Sequence, residues 1–198
     1  MPAIAIAIDN GLLRRLYPSD AAAFAAHLLR LDAQTRHERF GMSVSDEYVT
    51  KYAAACFGPE DVVYGFFVAG LIRAAGELRQ IVREPAATLR EAEAAFSVEP
   101  SWRRHGVGTA LMARIVRAAQ NRRDAMLFML CLAHNQAMQG LARKFSADLE
   151  FGTDEVTGRL VARHISPLSL LGEAVDDASG LIATLLEARQ RGKAIAGS

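Results

Sequence analysis

The chain has 198 residues, of which 51% are hydrophobic and 23% are charged, enough for one domain with a buried core. Its 23 lysine and arginine residues are matched by 22 aspartates and glutamates, and the net charge of +1 excludes a general basic field for nucleic acid. Two cysteines, Cys56 and Cys131, are too few for a disulfide framework or a structural zinc site, and they indicate a reducing, cytoplasmic setting.

The first residues do not have the pattern of an export signal. Residues 3–8 alternate alanine and isoleucine, but no basic segment precedes them and Asp9-Asn10-Gly11 interrupts them at once. The longest later apolar run, residues 125–133, is shorter than the roughly 18 residues that cross a bilayer. We therefore expect a soluble protein with no membrane partner.

An edge strand and two helices are predicted before the main sheet. Residues 12–17 have the character of an edge strand, and Pro18-Ser19-Asp20 supplies the turn and N-cap of an alanine-rich helix that ends near Leu31. A second helix follows Ser45-Asp46. The aromatic residues of this helix and of the next strand are interpreted as core rather than as a substrate cage: Tyr48, Tyr52, Tyr64, Phe66 and Phe67.

The middle of the chain predicts three β-strands. Residues 62–68 and 71–78 are rich in β-forming residues and are joined by Ala69-Gly70, which predicts a hairpin. A third strand, residues 93–98, ends at Glu99-Pro100. Consecutive strands with short connections are usually neighbours in a sheet, so we expect antiparallel pairing.

A strand, helix, strand crossover follows. Val107, Leu111 and Ile115 recur at helical spacing and predict the clearest helix of the sequence. The aliphatic residues 125–132 then indicate a strand that is buried on both faces.

The last predicted elements close the domain. Asn135 is placed to cap a helix that ends near Lys144, and a β-hairpin is predicted around Gly152-Thr153-Asp154. The pattern predicts one domain over residues 1–165, followed by a C-terminal helical extension over residues 166–198.

The segment before the long helix has the composition of an anion-binding loop. A helix start leaves N–H groups unpaired and carries a partial positive charge, and Gly106 and Gly108 let the backbone approach a phosphate. Six arginines and no acidic residue lie within residues 102–123, which suits a diphosphate. A P-loop would need Gly-Lys-Ser/Thr, but Thr109 directly follows the second glycine. A dinucleotide-binding fingerprint would need a third glycine at the position of Leu111, so the sequence favours neither alternative.

This loop resembles the acetyl-CoA motif of the GCN5-related N-acetyltransferase (GNAT) family, Gln/Arg-x-x-Gly-x-Gly/Ala. Residues 103–108 match the motif throughout. The flanking segments agree as well, because residues 93–98 resemble the family's preceding strand, Trp102 its common aromatic residue and residues 135–144 its cofactor-side helix. The resemblance covers roughly residues 12–163.

The resemblance implies an α/β fold with a mixed, mostly antiparallel central sheet, helices on both faces, and a splay after Val98 that admits the CoA arm. It implies acetyl-CoA as cosubstrate and no metal. The backbone of Phe96 and Val98 would pair with the pantetheine arm, Asn135 would steady it, and N–H groups of residues 104–109 would hold the pyrophosphate. The implied cofactor-binding residues are Phe96, Val98, Arg103, Arg104, His105, Gly106, Val107, Gly108, Thr109 and Asn135.

The implied chemistry is direct attack of an amine on the thioester. Glu93 lies where many relatives have a strand carboxylate that acts as general base, although a solvated or salt-bridged carboxylate explains it equally. The family's usual proton donor is a tyrosine, and Ala142 stands in its place. Asn135 could serve only as the N-cap of its helix, a role that is compatible with contact to the cofactor. The side chain of His105 could face either a phosphate or solvent.

We therefore expect transfer of an acetyl or related acyl group from acetyl-CoA to a primary amine of a small molecule or a protein lysine. Residues 28–48 resemble the entry helices of bacterial protein-lysine acetyltransferase domains and favour the lysine. The alternative is a non-catalytic acetyl-CoA-binding sensor or scaffold, which Ala142 keeps open. Cys131 and His134 have the spacing of metal ligands but lack a second pair, so we do not expect a metal site there. A second copy of the chain, in a homodimer, is a further candidate partner.

Overall fold

The computed structural model describes residues 11–82 and 89–162, so the predicted C-terminal extension lies outside the described residues. Seven strands are present in the described part: β1 Leu12–Leu16, β2 Val62–Val68, β3 Leu71–Ile81, β4 Glu91–Val98, β5 Met126–Leu132, β6 Asp148–Phe151 and β7 Glu155–Val161. Five α-helices accompany them: α1 Ala21–Arg30, α2 Ala33–Phe40, α3 Asp46–Ala55, α4 Val107–Asn121 and α5 Gln136–Lys144. In residues 11–82 and 89–162 no helix is both long and apolar enough to span a bilayer.

The strands form one sheet in the order β1-β2-β3-β4-β5-β7-β6. All neighbours are antiparallel except β4 and β5, which are parallel and are joined by the α4 crossover. The predicted edge strand, the hairpin at Ala69-Gly70, the crossover and the closing hairpin are all confirmed. The predicted fold class, a mixed and mostly antiparallel sheet with helices on both faces, is therefore correct.

The sheet splits between its two parallel strands. Pairing of β4 with β5 runs only from Glu91 opposite Met126 to Glu93 opposite Phe128. Beyond this point β4 stays paired with β3 as far as Val98, while β5 stays paired with β7 along its whole length. The expected splay after Val98 thus begins earlier, after Glu93, because each strand follows its own antiparallel partner.

Two hydrophobic cores lie on opposite faces of the sheet. On one face α4 inserts Leu111 and Ile115, both fully buried, against the central strands. On the other face Phe24 and Leu28 of α1 pack with Val49 of α3. The spacing of these apolar residues, three or four positions apart, turns one face of each helix towards the sheet.

The prediction that β5 is buried on both faces is wrong. Leu127, Met129 and Cys131 are buried, but Leu130 on the opposite face is 50% exposed. The helices of that layer pack over the earlier strands, α1 against β3 and α2 mainly against β4. The second face of β5 therefore remains partly open next to the gap.

Helix α2 is an element that the sequence pattern does not predict separately. The Asp32 side chain accepts the Thr35 backbone N–H at 2.8 Å and caps its start. Gly41 ends it in the left-handed conformation, with φ +70°. These caps place a short polar helix across the side of the gap between β4 and β5.

A buried carboxylate fixes the end of β4 just before the predicted anion loop. Glu99 accepts hydrogen bonds from Arg30 of α1 at 3.0 Å and from Arg73 of β3 at 3.0 Å, and it lies 3.4 Å from Nδ1 of the fully buried His27. Burial alone raises the pKa of Glu99, but the hydrogen bonds from His27, Arg73 and Arg30 outweigh it and lower the pKa to about 2. We call this cluster of Glu99 with Arg30, Arg73 and His27 the Glu99 node. The node favours the folded state as long as Glu99 is ionised.

The Glu99 node predicts a loss of stability in acid. Its contribution is complete above the unfolded carboxyl pKa of about 4.3 and disappears as the pH falls towards the folded pKa. As the pH falls through this range, the free energy of unfolding should decrease by about 1–2 kcal/mol less in Glu99→Gln than in the wild type, an amount that allows for screening by solvent. Urea unfolding across this acidic range measures the free energy of unfolding. Glu47→Gln is the control, because Glu47 pairs with Lys51 on the surface with both side chains 76% exposed; equal pH profiles for the two variants would contradict the assignment.

Candidate functional site

A cleft of about 580 Å³ opens at the start of α4, and we call it the helix-start cleft. The edge of β4, the loop before α4, the first turn of α4 and helix α5 form its walls. Most of the expected cofactor-binding residues line it: Phe96, Val98, Arg103, Arg104, Gly106, Gly108, Thr109 and Asn135.

The floor of the helix-start cleft presents backbone donors. Gly106 is the N-cap of α4 with φ +82°, and its carbonyl accepts the Ala110 N–H at 3.0 Å. The N–H groups of the first turn have no partner four residues earlier within the helix, and the macrodipole is positive there. A Cβ built at Gly108 would meet no atom closer than Leu141 Cδ2 at 3.9 Å, so the space above this turn is open.

The edge of β4 supplies a second row of backbone groups. The Arg90 carbonyl accepts the Ala125 N–H at 2.9 Å, towards β5, and the Glu99 N–H donates to the Arg73 carbonyl at 3.0 Å, towards β3. Because backbone groups alternate along a strand, those of Phe96 and Val98 point to the β5 side, where the strands have separated.

Cationic side chains border the same cleft. Arg103 bridges the loop to α2, because its guanidinium donates to Thr35 Oγ1 at 2.7 Å and to the Val98 carbonyl at 3.3 Å. Lys144 at the end of α5 donates to Thr109 Oγ1 at 3.4 Å and adds a second positive charge near the helix start. The arrangement suits a ligand that carries phosphate groups.

Two expected cofactor residues do not line the cleft with their side chains. His105 is exposed, with Nδ1 2.8 Å from the Arg103 carbonyl, and Val107 is 1% exposed in the α4 core. Asn135 is an N-cap, as one interpretation held, since its Oδ1 accepts the Met138 N–H at 3.0 Å, and it also borders the cleft. Ala142 is 2% exposed and packs in the core.

A second cleft of about 410 Å³ lies across α2 from the first, and we call it the aromatic cleft. Glu93 of β4 and Glu155 of β7 border it, both with exposed side chains. Its other wall is an aromatic group in which Phe40 lies edge-on to Tyr48 and Tyr52, with ring centroids 6.0 and 5.2 Å apart. Glu93 thus faces a cavity instead of a fully solvated surface.

The interpretation of all five aromatic residues as core is wrong for Tyr48. Tyr64, Phe66 and Phe67 are buried, whereas Tyr48 is 48% exposed and lines the aromatic cleft together with Tyr52. Tyr52 is partly buried against the core and reaches Glu77 of β3 with its hydroxyl, while Tyr48, one turn earlier on α3, lies edge-on to Phe40 of α2.

A buried ionic network between α2, α3 and β3 adjoins the aromatic cleft. Arg39 Nη2 forms an ion pair with the fully buried Glu77 and donates to Tyr52 Oη at 2.6 Å, while Tyr52 donates to Glu77 Oε2 at 2.7 Å. Burial alone lowers the pKa of Arg39, but Glu77 outweighs it and holds the pKa above its ordinary value. Burial and then Glu77 raise the pKa of Tyr52 and raise that of the adjacent Cys56 to about 12. Arginine, tyrosine and cysteine therefore all keep their protons at neutral pH.

The two clefts meet at α2. Among the described residues, Glu38 and Arg39 are the two that line both cavities. Sequence reasoning missed this helix and its side chains; the caps Asp32 and Gly41 were the available signal, but nothing in the sequence pairs Arg39 with Glu77 in a later strand. No cluster of three potential metal ligands occurs in residues 11–82 and 89–162.

The chain is similar in fold to several solved acetyltransferase structures, although the sequence identities are low. The GNAT domain of S. lividans PAT is 19% identical, with a TM-score of 0.63 over 76% of this chain and 90% of that one. Ribosomal-protein-alanine N-acetyltransferase from Brucella melitensis is 17% identical, with a TM-score of 0.59 over 76% and 99%. Arabidopsis thaliana NAA60, in complex with acetyl-CoA, is 11% identical, with a TM-score of 0.57 over 76% and 98%.

No sequence among curated proteins is significantly similar to the chain. A family model is decisive, because the model of the acetyltransferase (GNAT) family matches residues 25–146, more than half of the chain. Its match includes both glycines of the helix start and most of the residues that line the two clefts. The chain therefore belongs to the acetyltransferase (GNAT) family.

Proposed function

We propose that this acetyltransferase transfers the acetyl group of acetyl-CoA to a primary amine that enters through the aromatic cleft. The observation that carries the proposal is the separation of β4 from β5 after Glu93, with one cavity on each side of α2. Acetyl-CoA would occupy the helix-start cleft and the amine the aromatic cleft, so that the two reactants meet where the cavities join.

The helix-start cleft fits the parts of acetyl-CoA in order. The unpaired N–H groups at the start of α4, with Lys144 nearby, would hold the pyrophosphate, which is negatively charged. The backbone groups of Phe96 and Val98 would pair with the amides of the pantetheine arm in the manner of an added strand. NAA60, one of the similar structures, contains acetyl-CoA.

The aromatic cleft fits a cationic acceptor. Its two arginines are paired with acidic groups, Arg39 with Glu77 and Arg79 with Asp61 at 3.0 Å. Glu93 and Glu155 remain exposed on its walls and give the cavity a negative potential. An alkyl amine is protonated at neutral pH and is attracted to such a cavity. Both a small-molecule amine and a lysine side chain satisfy this condition.

Glu93 is the proposed general base. The ammonium must lose a proton before its nitrogen attacks, and Glu93 would accept this proton directly or through water. The nitrogen then forms a bond to the thioester carbonyl carbon, the carbon–sulfur bond breaks, and its electron pair leaves with the sulfur of CoA. The acylated nitrogen loses its second proton to water, which gives the neutral amide. No covalent enzyme intermediate is needed.

The proposed reaction predicts release of free CoA thiol when acetyl-CoA is mixed with a suitable amine. A panel of cationic small-molecule amines and lysine peptides, each compared with its acetylated form as a control, should identify at least one acceptor. Saturable stabilisation of the fold by acetyl-CoA with no thiol release from any amine would support the non-catalytic sensor instead.

Gly108→Val should weaken acetyl-CoA binding while the fold is retained. The new side chain enters open space above the first turn of α4, where the pyrophosphate is expected, and meets no protein atom closely. We expect the Kd for acetyl-CoA, measured by calorimetry, to rise at least about tenfold, or about 1.4 kcal/mol. Ala113→Val is the control, since Ala113 is an exposed residue of the same helix. Unchanged affinity in a folded Gly108→Val variant would place the cofactor elsewhere. Gly106 is the less suitable position, because φ +82° strains any side chain there.

Glu93→Gln should lower kcat/KM about 10² to 10⁴-fold at neutral pH, with acetyl-CoA affinity intact. The amide keeps the shape of the carboxylate but cannot accept the proton. Activity should partly recover as the pH rises, because the amine then loses its proton unaided. Glu91→Gln tests the same change on the same strand and face, outside the aromatic cleft. A Glu93→Gln variant with normal kcat/KM at every pH would exclude the general-base role.

A further inference from the structure

The reaction proposed above needs a group that accommodates negative charge on sulfur. When the carbon–sulfur bond breaks, the electron pair stays on the sulfur of CoA. Ala142, at the position where relatives carry a tyrosine, has no proton to donate, and its side chain is buried in the core. Another side chain near the junction of the clefts therefore has to accommodate the negative charge on the sulfur.

Two groups beside the aromatic cleft, the Tyr52 hydroxyl and the Cys131 thiol, are unsuitable as acids. Tyr52 already donates its proton to Glu77, and burial together with that carboxylate raises its pKa. Burial also raises the pKa of the Cys131 thiol. Both residues line the aromatic cleft and neither lines the helix-start cleft, where the CoA sulfur would arrive.

A cation does lie at the junction. Of the two described residues that border both clefts, Glu38 is a carboxylate and would repel a thiolate, whereas Arg39 carries a positive charge. The Nη2 group of Arg39 is held by Glu77 and Tyr52, and its side chain is only 7% exposed. Its Nε–H is buried and has no hydrogen-bond partner among the described residues. The guanidinium is thus fixed in place at the wall that the two clefts share.

We propose that Arg39 stabilises the thiolate of CoA as it leaves, in place of the proton donor that Ala142 lacks. The inference rests on the function proposed above. Arg39 contributes positive charge but no proton, and the thiolate takes its proton from solvent after departure. Glu77 and Tyr52 act as positioning residues, because they orient the guanidinium at the junction.

The proposal is tested on the thiol of CoA itself, without any amine. The ultraviolet absorbance of the thiolate is followed against pH for CoA bound to the protein and for free CoA in the same buffer. In the complex the thiol should ionise at a pH lower by about one unit or more, at least a tenfold larger acid dissociation constant. Arg39→Lys keeps the charge and should retain part of this shift. The double variant Arg39→Gln with Glu77→Gln removes both charges, so that no lone carboxylate stays buried, and should abolish the shift.

Arg79→Lys and Arg79→Gln provide the matched control. Arg79 belongs to the same network, and its Nη1 lies 3.0 Å from Cys56 Sγ. Of the two clefts, however, Arg79 lines only the aromatic cleft. Its replacement should leave the ionisation of bound CoA unchanged. A bound thiol that titrates like free CoA in the wild-type protein would overturn the proposal, whether or not the variants fold. A shift that persists in the double variant, or that Arg79→Gln removes equally, would also overturn it.

The outcomes separate this inference from the function on which it rests. Failure of the protein to bind CoA would refute the proposed function and the role of Arg39 together. Normal turnover with an unshifted thiol would refute the role of Arg39 alone. In turnover, Arg39→Lys should lower kcat while the KM for acetyl-CoA changes little, since the charge on sulfur develops only in the transition state.

Discussion

The pairing of β4 and β5 with different antiparallel partners is the constraint on which the rest of the site depends. β4 follows β3 and β5 follows β7, so the short parallel ladder between them ends after Glu93. An interior gap in a sheet leaves backbone groups without partners, which is costly unless a ligand or water satisfies them. The gap leaves the edge of β4 at Phe96 and Val98 without a neighbouring strand, with the Val98 carbonyl accepting the Arg103 guanidinium instead, and it also provides the space for the two clefts.

The neighbourhood of the gap is held rigidly. The Glu99 node ties the end of β4 to α1 and β3, immediately before the chain turns into the loop that starts α4. Gly106 then takes a left-handed conformation that directs the first N–H groups of α4 towards the helix-start cleft. Because both ends of this loop are anchored, the donors are arranged before a ligand arrives, and little ordering is needed on binding.

Charge is divided between the two sides of α2. Positive groups and helix-start dipoles surround the cleft that suits phosphate, while exposed carboxylates border the cleft that suits an amine. Between them, the buried pair of Arg39 and Glu77 keeps a cation at the junction without a net charge in the core. A buried ion pair contributes little to stability on balance, since desolvation offsets the attraction, and of this pair Arg39 alone borders the two clefts.

The sequence by itself determined the order of the strands, the mostly antiparallel sheet, the crossover and the helix start at Gly106 and Gly108. These features depend on local periodicity, on turn and cap residues, and on glycines at a helix start, all of which are short-range signals. The prediction for β5 failed in part, because the exposure of Leu130 depends on where the helices of the other layer lie.

Only the tertiary structure decided where the splay begins, that Tyr48 and Tyr52 border a cavity, and that α2 brings Arg39 to the junction. Each of these depends on contacts between residues far apart in the chain, such as Arg39 with Glu77, and no local pattern encodes them. The residues of the loop before α4 are consecutive, so the sequence alone could single them out. The aromatic cleft is assembled from α2, α3 and four strands, so its shape exists only after the chain has folded.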